Sequence, residues 1–301
     1  MKKIILIYIG ILVGVFVLFS TLSLNSDYAI EQMAWKVQKE YMDILKDPKV
    51  IPEQTFDEVT KGYEKIIKRY PDSKMIPGIR MLLAHVYYLK KDYEASRAKF
   101  NEIIKLYPDN KELQAEALGA IGRTYEAQDN WPGARKVYDR IMADYTSTRT
   151  GMGIPIYIAN HYKEQNDYQK TMDAYDRAIT HYNTLAAQNP NSPIEYNALR
   201  YLSNCYLEQK RWKEGVETLG RILHKYGEPQ YMRVQTLDII LKTINTVSVY
   251  QLKDYDLPLH IYQEIITENP KHPLSGYFQK MIDALSTLKA KSVQITPAQP
   301  N

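Results

Sequence analysis

Cysteine is almost absent from this sequence of 301 residues, with a single one at position 205. One cysteine excludes a disulfide within the chain, and it excludes zinc or iron–sulfur sites built from several thiolates. The net charge of +4 is small and no long basic run occurs, so the clustered basic face of a nucleic-acid-binding protein is not predicted. Phenylalanine and tryptophan are scarce, with 5 and 3 residues, whereas tyrosine contributes 26. The aromatic content therefore rests on one residue type.

The chain begins with an uncharged run, residues 4–24, that follows two lysines. About 20 apolar residues span a bilayer as a helix, whereas the apolar core of a cleaved signal peptide is shorter, about 7–15 residues. We predict that residues 1–25 form an uncleaved signal anchor, that is, one transmembrane helix; a cleaved signal and a buried soluble helix are the alternatives. The preceding lysines place the N-terminus in the cytoplasm and the remainder outside. Gly10 and Gly14 predict close contact between two such helices.

A phrase recurs six times in the rest of the chain. It starts at an anchor residue that is aromatic or leucine, and the anchors lie 37 to 44 residues apart: Tyr63, Phe100, Tyr138, Tyr175, Leu219 and Tyr262. Upstream of four anchors stands a large–small–x–x–aromatic phrase, as in Leu83-Ala84-x-x-Tyr87, whose spacing places these side chains on one stripe of a helix. Polar pairs such as Lys91-Asp92 precede the second helix of the pair and suit a capped turn. The sequence therefore predicts repeated helix pairs and no strand.

The pattern resembles the tetratricopeptide repeat (TPR) family. The likeness is carried by the large–small–x–x–aromatic phrase, by a small residue four before the anchor, and by the closing prolines Pro71, Pro108 and Pro270. It implies an all-α fold, a right-handed superhelical solenoid of about six helix pairs over residues 26–291. We expect a C-terminal capping helix that buries Phe278, Ile282, Leu285 and Leu288, and a disordered tail over residues 292–301.

Three places depart from a regular repeat. Pro258 stands where a small helical residue is expected, so the second helix of the sixth pair is predicted to start late or kink. The stretch Gly151-Met152-Gly153 is predicted as a turn before a helix over residues 154–165. The first helix of the sixth pair is predicted over residues 229–250 without interruption.

Within the TPR family, the Tyr-Pro-Asp endings at Tyr70 and Tyr107 resemble those of bacterial envelope members. These include the lipoprotein accessory of the outer-membrane protein assembly machine and the periplasmic coordinator of cell division and wall synthesis. This chain departs from the lipoprotein because no cysteine follows the apolar run. The resemblance implies a single-pass protein of the inner membrane whose TPR part is periplasmic.

No constellation of reactive residues emerges from the sequence. The six histidines show no metal-ligand spacing and the glycines form no phosphate-binding loop. Cys205 is predicted to be a buried, inert small hydrophobe. We therefore expect no enzymatic activity, no cofactor and no metal.

The expected activity is binding. The resemblance implies that the first helices of successive pairs line a groove that takes a protein or peptide segment. Ten residues are the candidates for this lining: Met81, His85, Tyr88, Arg123, Glu126, Asn160, Lys163, Arg200, Asn204 and Tyr250. The leading hypothesis is a membrane-anchored extracytoplasmic scaffold in envelope assembly, secretion or wall synthesis. The alternatives are a glycan-binding or enzymatic accessory that uses the groove, and a self-assembling homo-oligomer.

The tyrosine surplus follows from the repeat. Four repeat positions hold 16 of the 26 tyrosines. Most of them are therefore predicted to pack between helices, and Tyr88 and Tyr250, which fall outside those positions, are the two expected in the groove.

Overall fold

The computed structural model describes residues 27–295, which form 13 α-helices and one π-helical turn. They divide into two compact units, of which one ends at Thr150 and the other begins at Gly151. In the first unit each helix packs against the next. Its helices are α1 (Asp27–Lys46), α2 (Glu53–Arg69), α3 (Ile76–Leu89), α4 (Tyr93–Leu106), α5 (Lys111–Glu126) and α6 (Trp131–Asp144).

The second unit continues the alternation of helices. Helix α7 starts at the unit boundary, and a π-helical turn, Val247–Leu252, follows α11. Its helices are α7 (Arg149–Glu164), α8 (Tyr168–Gln188), α9 (Pro193–Glu208), α10 (Trp212–Tyr226), α11 (Val234–Thr246), α12 (Asp256–Glu268) and α13 (Ser275–Ile295). The prediction of an all-α chain built from helix pairs is confirmed for the described residues.

The turns inside the helix pairs share one backbone conformation. Four of them contain a residue with a φ between 56° and 65°, in the left-handed region that ends a helix: Lys91, Asp129, Asn166 and Lys210. In the first of these, the next residue, Asp92, accepts a hydrogen bond from the backbone N–H of Ala95 at 3.0 Å and so caps α4. Its own N–H donates to the carbonyl of Tyr87 at 2.9 Å. The polar pair and the aromatic phrase are therefore parts of one turn.

The anchor tyrosines lie in the cores of the two units. Four of them are at most 1% exposed: Tyr63, Tyr138, Tyr175 and Tyr262. A small residue faces the ring in one well-defined case, because a Cβ added at Gly122 would lie 2.6 Å from Cζ of Tyr138. Large rings therefore fill the space that small residues leave between paired helices.

Two of the predicted helix starts are wrong. Helix α7 begins at Arg149, so the Gly151-Met152-Gly153 stretch is helical and Pro155 lies inside the helix. Glycine and proline indicate a turn locally, but Gly151 and Met152 are buried and packing overrides the local preference. The first helix of the sixth pair begins at Val234 instead of 229 and gives way to the π-helical turn after Thr246.

The last two helices differ from expectation in detail. Pro258 lies in the first turn of α12, where its missing N–H has no intrahelical partner to lose, and α12 begins at Asp256, one residue after the repeat position Tyr255. Phe278, Ile282 and Leu285 are buried as predicted, whereas Leu288 is 49% exposed. Helix α13 extends to Ile295, so residues 292–295 are helical where a disordered tail over residues 292–301 was predicted.

The predicted anchor, residues 1–25, lies outside the described part of the chain, as do residues 26 and 296–301. Over residues 27–295 no helix combines the length and the apolar character that crossing a membrane requires.

Candidate functional site

Five of the candidate residues lie on two helices of the first unit that pack against each other, α3 and α5. We call them the α3–α5 surface: Met81, His85 and Tyr88 on α3, and Arg123 and Glu126 on α5. Spacings of four, three and three residues place each set on one side of its helix. Arg123 is exposed and the other four are partly exposed.

An aromatic cluster surrounds His85. Its Nδ1 lies 2.7 Å from the hydroxyl oxygen of Tyr41, a hydrogen bond that joins α1 to α3. The ring of Tyr88 stacks on the imidazole with centroids 5.4 Å apart and planes at 16°, and Tyr93 lies 5.8 Å beyond Tyr88. The sequence reading missed Tyr41, because α1 lacks the large–small–x–x–aromatic phrase that located the other candidates. The cluster thus presents stacked aromatic rings that a hydrogen bond ties to α1.

The cluster combines a neutral imidazole, that of His85, with a charged guanidinium, that of Arg123. Burial lowers the pKa of His85, and the positive charge of Arg123 lowers it further. His85 is therefore neutral at physiological pH, and Arg123 supplies the positive charge. A guanidinium beside aromatic faces suits a carboxylate or a backbone carbonyl of an extended segment.

The candidates on the second unit's first helices are partly occupied by internal contacts. Asn160 accepts a hydrogen bond from the buried hydroxyl of Tyr175 at 3.0 Å. Lys163 donates to Glu208 at 2.5 Å, an ion pair between α7 and α9. These two side chains serve structural contacts, so a ligand would have to compete for them.

The remaining candidates are open to solvent. The guanidinium of Arg200 lies over the ring of Tyr196, 5.6 Å from its centroid, and Asn204 is exposed one turn later on α9. Tyr250 is 66% exposed on the π-helical turn. Nothing in the described contacts brings Tyr250 together with the α9 pair.

One predicted packing residue is exposed instead. Tyr168 opens α8 at a repeat position where aromatics were expected to be covered, yet it is 74% exposed. The equivalent Tyr93 is covered by Tyr88, whereas the residue equivalent to Tyr88 is Lys163, which turns to Glu208. A cavity of about 400 Å³ lies there, lined by Lys163, Asn166, Tyr168, Thr171, Met172, Tyr175 and Glu208. The sequence did not indicate this exposure of Tyr168, because the side chain that leaves it uncovered is Lys163, five positions earlier.

A buried carboxylate stabilises the second unit. Glu195 is 3% exposed on α9, and it accepts hydrogen bonds from Lys225 at 2.7 Å and from the hydroxyl of Tyr226 at 2.8 Å. Burial alone would raise the pKa of Glu195, but these bonds and a third from the Asn191 N–H outweigh it and lower the pKa. The pattern is that of a structural network that ties α9 to α10.

The described residues show no chemistry beyond this. Among residues 27–295 no three histidine, cysteine or acidic side chains are placed to hold a metal ion. Cys205 is fully buried and burial raises the pKa of its thiol to about 12, which leaves little thiolate at neutral pH.

Comparison with protein families identifies the repeat. Residues 80–110 and residues 171–237 match family models that are both described as tetratricopeptide repeat. The chain therefore contains tetratricopeptide repeats, a class of repeat that generally mediates protein–protein interaction. No curated protein matches the chain in sequence.

The solved structures that match the chain share little sequence with it. The TPR2AB domain of yeast Sti1, in a complex with pHSP90, is 12% identical with a TM-score of 0.32, over 85% of this chain and 99% of that one. BtubC (BKLC) from P. vanneervenii is 12% identical with a TM-score of 0.37, over 90% and 94%. Cut9 with Hcn1, the hetero-tetramer of the APC/C, is 12% identical with a TM-score of 0.34, over 86% and 47%.

Proposed function

We propose that this chain is a membrane-anchored, extracytoplasmic scaffold that binds a segment of another protein on its α3–α5 surface. The observation that carries the proposal is the cluster of Tyr88, His85 and Arg123. The cluster combines stacked aromatic faces, which cost little side-chain entropy to present, with an exposed guanidinium. Such a surface suits an extended segment that carries an aromatic or aliphatic side chain next to a carboxylate.

Membrane attachment and location form the second part of the proposal. The uncharged run of residues 4–24 has the length of a membrane span and follows two lysines. The Tyr-Pro-Asp endings resemble bacterial envelope proteins. We therefore place the chain at the inner membrane with its repeats in the periplasm, in envelope assembly, secretion or wall synthesis.

Site-specific photo-crosslinking in cells tests the binding surface. A photoreactive residue at position 88 or 123 is expected to yield the same discrete adduct with a partner protein. Position 140 on α6 serves as the control, because Arg140 is also an exposed arginine of the first unit. Arg123→Glu is expected to abolish the adduct formed from position 88, and Arg140→Glu to leave it unchanged. Identical adducts from all three positions would contradict a specific surface.

Labelling of an introduced cysteine tests the orientation. Because Cys205 is buried, the wild-type chain gives no background with a membrane-impermeant maleimide. Lys105→Cys, at an exposed position in the last turn of α4, is expected to react in intact spheroplasts. Reaction only after lysis would place the repeats in the cytoplasm and refute the proposed location.

A further inference from the structure

Helix α1 carries large apolar residues on two opposite sides. Its inner side contributes Ile30, Tyr41 and Ile44 to the core of the first unit, each at most 5% exposed. Its other side carries four large apolar side chains, 39% to 70% exposed, which we call the outer stripe: Tyr28, Trp35, Met42 and Leu45. Spacings of seven, seven and three residues place them along one side of the helix, over a length of about 26 Å.

The outer stripe contrasts with the neighbouring helix. Helix α2 fills its exposed positions with polar or charged residues: Glu53, Gln54, Asp57, Glu58, Lys61, Glu64, Lys65, Lys68 and Arg69. The last helix, α13, is also mainly polar on its exposed side. The outward side of a terminal repeat normally has to be polar for solubility. Four exposed large apolar side chains along one side of the first described helix therefore favour a cover.

Several observations identify the cover as a lipid surface. Only Asn25 and Ser26 separate the uncharged run from α1, and two residues bridge at most about 10 Å. Tyrosine and tryptophan are the side chains that favour the boundary between headgroups and acyl chains. Lys39 and Lys46 lie on the same side of α1, where long aliphatic stems let their ammonium groups reach lipid phosphates. Acidic residues flank them, and Asp43 pairs with Lys46 at 2.7 Å.

We propose that the outer stripe of α1 lies in the headgroup region of the membrane, with α1 parallel to the surface. The inference rests on the anchor proposed above and adds to it an orientation of the first unit. A helix that leaves the membrane perpendicularly would bring only Tyr28 near the lipid, whereas a parallel helix brings the whole stripe to it.

Single-tryptophan variants of the full chain, reconstituted in phosphatidylcholine–phosphatidylglycerol vesicles, test the proposal. The double variant Trp131→Phe, Trp212→Phe leaves Trp35 as the reporter, and the double variant Trp35→Phe, Trp212→Phe leaves the half-buried Trp131 of the same unit as the control. With brominated lipids, Trp35 is expected to lose most of its emission and Trp131 to keep it. Acrylamide, a quencher that stays in the water, is expected to quench Trp35 less in vesicles than in the chain unfolded in urea without detergent.

The remaining outcomes separate the two proposals. Flotation of the vesicles at alkaline pH reports the anchor, so a chain that floats with Trp35 unquenched by brominated lipid overturns the orientation alone. A chain that does not float overturns both. If Trp35 is shielded from acrylamide and from brominated lipid alike, and the chain has twice its monomer mass, a second copy covers the outer stripe and the lipid assignment is wrong.

Discussion

Replacing Gly122 by alanine is expected to destabilise the first unit, although alanine is the better helix former. Gly122 lies in α5, where a Cβ would stand 2.6 Å from Cζ and 2.8 Å from the hydroxyl oxygen of Tyr138. Both distances are far below ordinary van der Waals contact. The ring is 1% exposed and packs against Trp131, with centroids 6.0 Å apart. It therefore has no free space into which to withdraw.

Two opposing free energies decide the outcome. Alanine gains about 1 kcal/mol over glycine inside a helix. Forcing a methyl group into a packed core costs about 1–3 kcal/mol, and the upper end applies where the neighbour is a rigid buried ring. The net loss in the free energy of unfolding is then about 2 kcal/mol, which corresponds to a fall in Tm of about 5 °C.

Thermal and urea unfolding followed by circular dichroism measure this difference. Gly78→Ala in α3 is the matched control, because the added Cβ would meet no atom within 4 Å other than its chain neighbours and the backbone of its own helix. This change is expected to be neutral or stabilising by about 0.5 kcal/mol. Combining Gly122→Ala with Tyr138→Leu is expected to cost less than the sum of the two single changes, since the clash disappears. A Gly122→Ala protein as stable as the wild type would refute the packing argument.

Three further predictions concern single ionisable groups. The hydrogen bonds that lower the pKa of Glu195 supply stability at neutral pH that is lost as the pH falls below about 4.3, the pKa of an unfolded glutamate. Glu195→Gln should lower the free energy of unfolding at pH 7 by about 1–3 kcal/mol, because the Lys225 ammonium keeps only a neutral, weaker partner. Urea unfolding of this variant should also depend less on pH in the acid range than that of the wild type. An unchanged dependence on acid pH would contradict the assignment. Arg123→Ala is expected to raise the pKa of His85 but leave it below its ordinary value, since burial is the larger cause; NMR titration of the imidazole measures it. Cys205 is expected to resist maleimide in the folded chain at pH 8 and to react in urea, and labelling of the folded chain would show that α9 opens.

The helix pairs were predictable because local chemistry and packing agree in most of them. The pair Lys91-Asp92 indicated a turn, and the structure has a left-handed residue followed by a side-chain cap at those two positions. Helix α4 starts at Tyr93 as predicted for that reason. The anchors repeat at a fixed offset from these turns, so their burial was predictable as well.

The failures occur where distant contacts override local preference. Gly151 is helical because it is buried in α7, and no short stretch of sequence reports that burial. No local sequence signal indicated the π-helical turn after Thr246. Helical register predicted which side of α3 carries His85, but the partnership with Tyr41 joins residues 44 positions apart. Register likewise put Asn160 on the candidate side of its helix without showing that Tyr175 already engages it.

The tyrosines now divide by exposure into two groups with different consequences. Those at the anchor positions, such as Tyr63 and Tyr138, are buried and serve packing. Four others are more than 60% exposed although each contains a ring that water solvates poorly: Tyr28, Tyr168, Tyr231 and Tyr250. Most described tyrosine rings of this repeat protein are buried or partly buried. An exposed ring lowers solubility unless a partner covers it. Tyr28 belongs to the outer stripe, so the cavity beside Tyr168 and the turn at Tyr250 are where the second unit should be tested for binding of its own.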